Sequence, residues 1–558
     1  MKNLIIKYGK DLSFFFKKLS NAEVKMFHWK HKSILAMPVI LAGLFIVWSS
    51  GAQNNPSGAG KVGEHGILHK GMKTVEHPVT PSPAEQKKKE VAERLDKAGL
   101  LYTGKVVVDS DPKMLTPMES VANFAGKDYI IAKTPPTIEF AVVPVEPLWL
   151  GESPVKSKSK ISNEPGPWSN WCQANFDSRT GKFYSAIGDH GKYDAHILLV
   201  EYDPSAKKVR CLPEVNKVLG RKMDQFSEGK IHGWLDFYKS KQLDKEHLWY
   251  CTYWAKYDEP DEEDYATGYD GGHVMSYDVL TGDIIDYGVP MKRASWPYHR
   301  VDTKRGIMYG IGMHFEFLAW DINTQTTKFA GFLPPGMQWN NRAILIDEET
   351  GMVYTSNMDT KADSLRHIIK YDPYKNRFFQ LACNVPAETA TSSMSTPGMY
   401  MPMRAQTRKI GADGLFWGAT SGGQMFSFDP AKEEIVDKGR NWAGTQTYTC
   451  SMDRSPKGRY LYYLPGAHGH GYSDGSPVIQ YDTRTGTKKV LAFMFPYYYD
   501  KYGYTPGGTF SIKLDNKGER LFVLWNGAFV EYDPTKSSDT FGQCSVMVIN
   551  IPASERQE

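Results

Sequence analysis

One short pattern recurs along the chain and limits the folds that the sequence can adopt. An aromatic residue followed by Asp, after an alternating apolar run and before a polar turn, occurs seven times, with successive aromatics 75, 43, 51, 57, 53 and 51 residues apart. A period of roughly 40–50 residues built from short strands is typical of a β-propeller, in which each repeat is one blade. The chain is therefore predicted to be all-β, a seven-bladed β-propeller of four-stranded antiparallel blades. The seven pairs are Tyr202-Asp203, Tyr277-Asp278, Trp320-Asp321, Tyr371-Asp372, Phe428-Asp429, Tyr481-Asp482 and Tyr532-Asp533.

The order of strands within a blade follows from the turns. Segments such as Asp302–Gly306 and Asp347–Gly351 read as tight turns between a first and a second strand, and the run that follows them is apolar. The aromatic-Asp pair is predicted to end the third strand of each blade. Two closures of the ring remain open: Ser545–Ile551 is the outer strand of the last blade, or the N-terminal run Ile138–Val145 is.

Strand order also separates the loops into two groups. The turns between strands one and two and between strands three and four lie on one face, which we call the turn face. The loops between strands two and three and those between blades lie on the opposite face, the loop face. Because the regular turns all fall on the turn face, and function concentrates in irregular loops, a binding site is predicted on the loop face.

The loop-face segments are rich in aromatic, Arg and His residues. Arg342 and Arg404 are predicted to bind a ligand, together with Trp171, Trp296, Trp339 and Tyr498. His232 and His314 are the candidate catalytic residues. The candidate metal ligands are His190, His468 and His470, since two His with a small spacer can chelate. The alternative is structural: aromatic residues packed as wedges between blades, hydrogen-bonded His, and a flexible glycine loop.

The N-terminal region predicts export. Residues 1–52 form a basic leader followed by the apolar run Ile34–Trp48, which is either a signal peptide cleaved near Ala52 or a membrane anchor over 33–52. Residues 53–135 read as a linker with a helix over 83–98, opened by a capping box at Ser82–Glu85. The propeller is expected over 136–558, in the periplasm or an equivalent extracytoplasmic space.

Composition and motifs exclude several classes of protein. The net charge of +4 comes from the leader, so no clustered basic surface indicates nucleic acid. The six Cys are scattered, which favours buried thiols over a metal motif and leaves disulfides open. There is no haem, flavin or nucleotide motif. A divalent metal such as Ca²⁺ or Mn²⁺ remains the one candidate cofactor, and the acidic run Asp258–Asp264 is either a Ca²⁺ site or a solvated loop.

Three segments carry a family resemblance. Gly229–Trp234, Gly271–Asp278 and Arg305–Tyr309 resemble exported bacterial propellers of the streptogramin-lyase-like and gluconolactonase-like superfamily, over about residues 165–552. The resemblance implies the propeller fold and a superfamily that includes lyases and lactonases. It transfers no catalytic residues to this chain.

Two functions are compatible with the sequence. In the first, the loop-face funnel binds a polar ligand such as an acidic carbohydrate, and a metal-assisted lyase reaction takes place there. In the second, the propeller is a non-catalytic interaction subunit of an extracytoplasmic complex, with a protein partner on its aromatic loops.

Overall fold

The computed structural model describes residues 100, 103–145, 169–189, 195–222, 225–254, 259–358, 365–529 and 540–557. These residues form seven sheets arranged as the blades of a β-propeller, which confirms the predicted fold. The leader, the apolar segment and the helix expected over 83–98 lie outside the described residues, as does His190. Within the described ranges, no helix is both long and apolar enough to cross a membrane.

Blades one to six each take their strands in sequence order. Blade one contains Ser169–Asn170, Asn175–Asp177, Lys182–Gly188, Ile197–Asp203 and Lys208–Glu214. Blade two contains Asp236–Lys239, Glu246–Cys251, Val274–Tyr277 and Ile284–Asp286. Blade three contains Tyr298–Asp302, Ile307–Ile311, Glu316–Asp321 and Thr326–Phe332. Blade four contains Leu345–Ile346, Val353–Ser356, His367–Asp372 and Arg377–Asn384. Blade five contains Met403–Gln406, Phe416–Thr420, Gln424–Asp429 and Glu434–Arg440. Blade six contains Met452–Arg454, Tyr460–Tyr463, Pro477–Asp482 and Lys488–Phe493.

Blade seven shows how the ring closes. Its first two strands are Thr505–Leu514 and Arg520–Ala528, and its third is Ser545–Asn550. The N-terminal strand Thr137–Val142 then pairs antiparallel with this third strand along its whole length and becomes the outer strand. Of the two closures that the sequence left open, the structure shows the one made by the N-terminal run.

Two further strands lie before residue 136. Val107–Asp109 adds to the outer edge of blade seven, and Ile130–Ile131 pairs in parallel with the outer strand of blade six. The propeller therefore includes part of the segment expected to be a linker. The short helices are Glu119–Ala122, Val215–Val218, Glu262–Ala266 and Tyr497–Tyr502, with 3-10 turns at Pro112–Leu115, Gly471–Asp474 and Ala553–Glu555.

The aromatic-Asp pair has the expected place in blades one to six. Tyr277 ends the third strand of blade two and is 2% exposed, and the Asp278 carboxylate accepts the backbone N–H of Leu280 at 2.9 Å. Gly282 closes the same turn at φ 84°, a conformation that only glycine adopts readily. The aromatic residue is thus packed between strands while the Asp shapes the turn.

The seventh pair departs from this rule. In blade seven the third strand is Ser545–Asn550, so Tyr532-Asp533 precedes it rather than ending it, and this pair lies outside the described residues. The expectation that every copy ends a third strand is wrong for this blade.

The core lies between neighbouring blades. The rings of Phe183 in blade one and Phe522 in blade seven stack with centroids 5.4 Å apart. All six Cys are free, and four of them are buried, as expected of small apolar side chains in strands.

Candidate functional site

The starts of the inner strands converge at the loop face. We call the resulting cluster the channel mouth. It is formed by side chains from the innermost segments of six blades and by one side chain from the loop between strands two and three of blade six. Most of the first group lie at or just before the first strand, Trp171 lies between Ser169–Asn170 and Asn175–Asp177, and Phe510 lies midway along Thr505–Leu514. Its members are Trp171, Lys230, His232, Arg342, Arg404, Tyr448, His468 and Phe510.

Aromatic rings form one part of the channel mouth. Trp171 lies 4.8 Å from Phe510 between ring centroids, and it stacks on His232 at 6.0 Å with an interplanar angle of 18°. The His468 ring extends from its loop and lies 4.2 Å from the Tyr448 ring and 5.8 Å from the Phe510 ring, measured between ring centroids. Flat ring faces of this kind can stack on a sugar or another planar group.

Cationic side chains form the other part. The Arg404 guanidinium lies 5.5 Å from the Tyr448 ring centre and 5.3 Å from that of Phe510, and its Nε donates to the Tyr448 hydroxyl at 2.7 Å. The Lys230 ammonium lies 3.9 Å from the centre of the Trp171 ring. Arg342 is half-buried, and its Nη1 donates to the Asn341 carbonyl at 2.7 Å.

Neither guanidinium at the channel mouth has a carboxylate partner among the described residues. Arg404 is 1% exposed, and its Nη2 has no hydrogen-bond partner there. Its Nη1 donates only a long bond of 3.4 Å to the Arg342 carbonyl. A buried charge normally carries a partner, so the arrangement is suited to an anionic group that arrives with a ligand.

The pKa of His232 is affected by the positively charged side chains around it. Burial lowers the pKa of this imidazole well below its ordinary value, and Arg342, Arg404 and Lys230 each lower it further. The ring is 5% exposed, and its Nδ1 has no partner among the described residues. His232 is therefore neutral at pH 7 and can accept or donate one hydrogen bond to a ligand.

His314 lies elsewhere and in a different environment. Its Nε2 is 3.2 Å from a Glu259 carboxylate oxygen and its Nδ1 is 3.5 Å from one of Glu316. Hydrogen bonds to these two carboxylates raise the pKa of His314 to about 10. A histidine that is already protonated at neutral pH does not act as a base, so the geometry favours a structural ion pair between blade three and the insertion of blade two.

Trp296, Trp339 and Tyr498 are fully buried in packing positions. The Trp296 indole N–H donates to the Gly272 carbonyl at 3.2 Å. Trp339 packs on Phe317 at 4.9 Å between ring centroids. Tyr498, in the helix Tyr497–Tyr502, lies 4.9 Å from the ring of Phe140. These contacts favour the wedge alternative for these three residues.

The predicted metal ligands are only partly described. His470 precedes the turn Gly471–Asp474 and lies 6.5 Å from Tyr472 between ring centroids, whereas His468 faces Tyr448. No three His, Cys, Asp or Glu side chains within the described ranges form a group that could hold a metal ion. In the acidic insertion, Asp261 and Asp264 cap the helix Glu262–Ala266 reciprocally. Whether His190 completes a site with His468 and His470 stays a prediction, because His190 is outside the described residues.

Three members of the channel mouth were missed from the sequence: Lys230, Tyr448 and Phe510. Lys230 and Tyr448 lie shortly before an inner strand, as Arg342 does, whereas Phe510 lies midway along Thr505–Leu514. Extending that positional rule from Arg to every polar or aromatic residue near the start of an inner strand would have found Lys230 and Tyr448, but not Phe510.

No protein-family model matches the chain, and no curated protein shows significant similarity to it. The fold thus defines the class, a seven-bladed β-propeller. The likeness to streptogramin-lyase-like and gluconolactonase-like propellers stays a prediction.

Proposed function

We propose that the protein binds a small anionic ring compound, of which a carboxylate-bearing sugar is the representative, at the channel mouth. The observation that carries the proposal is the convergence of Lys230, Arg342 and Arg404 on neutral His232, with no carboxylate paired to either guanidinium in the described part of the chain. An acidic sugar complements the channel mouth in two ways. Its carboxylate supplies the negative charge that the guanidinium groups lack, and its ring offers a face on which the aromatic side chains can stack.

Each group has a distinct role in the proposed complex. Arg342 and Arg404 hold the carboxylate through charge-assisted hydrogen bonds. Trp171 and Phe510, 4.8 Å apart, offer ring faces to the sugar. His232 accepts a hydroxyl hydrogen bond at Nδ1 or Nε2, depending on its tautomer.

A lyase reaction is the catalytic form of the same proposal. His232 would take the proton from the carbon next to the carboxylate, a C=C bond would form, and the glycosidic C–O bond would break with the electron pair leaving on oxygen. The guanidinium groups would stabilise the negative charge that develops on the carboxylate. The low pKa of His232 keeps the imidazole neutral at pH 7, and a substrate carboxylate bound to Arg342 and Arg404 would offset the positive charges that oppose its protonation.

Calorimetric titration tests binding. Uronic acid oligosaccharides are expected to bind the wild-type protein, and neutral oligosaccharides of equal length are not. Arg342→Gln should weaken binding about 10- to 100-fold, since a hydrogen bond to a charged group contributes about 1.5–3 kcal/mol. The matched control is Arg377→Gln, an exposed residue of the outer strand of blade four. Equal affinities for acidic and neutral sugars, or for wild type and Arg342→Gln, would contradict the proposal.

The same mixtures separate binding from catalysis and from the interaction-subunit alternative. Ultraviolet absorbance of an unsaturated uronate, present with wild type and absent with His232→Gln, would support the lyase. Binding without that absorbance would support a binding protein. A stoichiometric protein partner recovered by cross-linking, without any sugar binding, would favour the interaction subunit.

We also propose that the propeller is exported, on the evidence of the basic leader and the apolar run Ile34–Trp48. Fractionation of intact cells tests this: the propeller should be found outside the cytoplasm and be accessible to added protease. A propeller found entirely in the cytoplasmic fraction would contradict it. The mass of the mature chain then distinguishes cleavage near Ala52 from an anchor over 33–52.

A further inference from the structure

Hydrogen-bonded side chains cross the central channel below the channel mouth. Tyr298 begins the inner strand of blade three and is fully buried. Its hydroxyl accepts the Trp234 indole N–H at 2.7 Å, from the segment before blade two, and the Gln406 amide at 2.5 Å, from the inner strand of blade five. Blades two and five are three positions apart, the largest separation in a ring of seven, so these bonds span the channel. We call Trp234, Tyr298 and Gln406 the channel floor.

A second crossing lies deeper in the channel. Arg408 comes two residues after Gln406, further toward the turn face. Its guanidinium pairs with Asp236, the first residue of the inner strand of blade two, and donates to the Leu235 carbonyl at 3.3 Å. Asp236 is fully buried, so this pair also joins blades two and five inside the propeller. A chain that enters at the channel mouth is therefore blocked at two levels.

Arg404 is a neighbour of the channel floor. It precedes Gln406 on the strand Met403–Gln406 and is almost fully buried. Burial raises the pKa of the Tyr298 hydroxyl, and the Arg404 guanidinium is the nearby charge that opposes this shift most. Tyr298 in turn favours the charged form of Arg404. The guanidinium that is proposed to hold the ligand carboxylate thus lies close enough to the floor for one sugar residue to contact both.

The channel floor can make further hydrogen bonds. The Tyr298 hydroxyl accepts two of them, so its own proton can still be donated. Gln406 Oε1 is buried and has no partner among the described residues. A buried acceptor without a donor is unfavourable, and a ligand hydroxyl can supply the missing hydrogen bond.

We propose that the channel mouth is a blind pocket, closed below by the channel floor, and that it binds the terminal residue of an acidic oligosaccharide. This inference rests on the proposed function and narrows its class of substrate. The carboxylate of the terminal residue contacts Arg404, and a hydroxyl of the same residue donates to Gln406 Oε1. A residue inside a chain has a neighbour at each end and needs two exits, whereas the pocket opens only at the loop face.

The number of protein molecules bound per sugar chain tests this proposal. Short and long linear oligomers of galacturonic, glucuronic and mannuronic acid are titrated into the full-length protein by calorimetry. For the acid that binds, one protein should bind per chain at every length, with an affinity per chain that does not depend on length. A number of bound proteins that rises in proportion to chain length would show internal binding and overturn the proposal.

Blocking the chain ends gives a second measurement with the wild-type protein. A benzyl group is placed on the hydroxyl at one end or at the other end of the oligomer that binds. One capped form should lose measurable binding, because the cap cannot pass the floor, and the other should bind as the uncapped oligomer does. Equal binding of both capped forms would overturn the proposal.

A variant tests the contact with the floor. Gln406→Met keeps a side chain of similar length but removes the acceptor, and it should weaken binding about 3- to 10-fold, the contribution of one neutral hydrogen bond. The matched control is Gln380→Met, at an exposed position of the outer strand of blade four, which should bind as the wild type does. Unchanged affinity in Gln406→Met would overturn the placement of the terminal residue on the floor. If the variant fails to fold, the wild-type titrations still decide between terminal and internal binding.

Failure of this inference differs from failure of the proposed function. Acidic oligomers that bind with several proteins per chain would leave the proposed function intact and remove the blind pocket. Absence of binding by all three acids would contradict both.

Discussion

At the scale of single residues, the channel mouth contains two unfavourable features that a folded protein usually avoids: a buried charge without a counterion and a buried polar atom without a hydrogen-bond partner. Arg404 is almost fully buried without a carboxylate in ion-pairing distance among the described residues, and His232 is buried beside it with Nδ1 unpartnered. Such groups persist where a ligand supplies what the chain does not. The aromatic rings of Tyr448 and Phe510 offset part of the cost at Arg404 through cation–π contacts.

The depressed pKa of His232 gives a pH prediction. The unfolded chain binds a proton at this side chain near pH 6.5 while the folded chain does so only at lower pH, so the free energy of unfolding falls as the pH drops below 6.5. His232→Gln removes this contribution. The stability of the variant relative to wild type should therefore improve by about 1.4 kcal/mol in total between pH 7.5 and pH 5.5.

Urea unfolding at pH 7.5 and pH 5.5 checks this expectation. His470→Gln, a partly exposed histidine on the loop of blade six, is the control. A stability difference between His232→Gln and wild type that does not change with pH would show that His232 is not buried as the structure has it. His299 and His247 also have lowered pKa values and stay in both proteins, so acid instability is reduced rather than abolished.

At the scale of elements, one loop of the loop face is held in place by a buried acid. The segment between blades four and five, residues 385–402, carries Glu388, which is 3% exposed and accepts the hydroxyl hydrogen of Thr420. Its backbone N–H donates to the Met399 carbonyl at 2.8 Å and closes the loop on itself. Gly422 lies directly against this carboxyl group, where an added Cβ would meet the Glu388 carbon at 2.3 Å. The loop is thus positioned by one acidic side chain under a glycine.

Glu388 gives a pH prediction opposite to that of His232: its contribution makes the free energy of unfolding fall as the pH rises. Burial raises the pKa of this carboxyl to about 7 from an ordinary value of 4.5. Between those two pH values the Glu388 carboxyl group is ionised in the unfolded chain but still protonated in the folded chain. The contribution of Glu388 to the free energy of unfolding is therefore lost as the pH rises. Glu388→Gln keeps an acceptor for Thr420 and needs no proton. At pH 7.5 it should be more stable than wild type by about 1–3 kcal/mol, with no gain at pH 4.5.

Denaturant titrations at the two pH values measure this difference. The matched control is Glu434→Gln on the outer strand of blade five, an exposed carboxylate. If Glu388→Gln lost stability at pH 7.5, the carboxylate would be ionised and paired in the folded protein, which is the reverse of the expectation.

At the scale of the whole molecule, the sequence repeat predicted the number and order of the blades more completely than the sequence predicted the candidate site. The period of the aromatic-Asp pair is set by strand length and turn chemistry, which are local, so seven blades could be counted from the sequence. Ring closure is not local, because Thr137–Val142 pairs with Ser545–Asn550 across nearly the whole propeller. Nothing in either strand alone specifies that partner.

The site shows the same division between local and long-range information. Arg342 and Arg404 were predicted because each begins an inner strand, and the position alone sufficed. Trp339 occupies an equivalent place between blades, yet it packs against Phe317 and Phe378. Whether an aromatic residue turns toward the channel or into the gap between blades depends on the neighbouring blade, which sequence position does not reveal.

The closure of the ring yields a prediction for the molecule as a whole. Strand Thr137–Val142 contributes Ile138, Phe140 and Val142, all buried, to one hydrophobic cluster that also contains Met547. A shortened chain that begins at residue 146 loses this strand and leaves Ser545–Asn550 as an unpaired edge. It should unfold at lower temperature than a chain beginning at residue 100, and it should aggregate through the exposed edge.

A point variant separates the loss of the strand from the loss of the segment before it. Phe140→Ala should cost about 3–5 kcal/mol, because its ring packs on Tyr498, Tyr502 and Tyr504 within the core. Val108→Ala, at an exposed position of the neighbouring strand Val107–Asp109, should leave stability nearly unchanged. Chemical denaturation of the two variants measures both effects. If the chain beginning at residue 146 were as stable as the one beginning at residue 100, the last blade would be complete with three strands, and the N-terminal strand would only cover it.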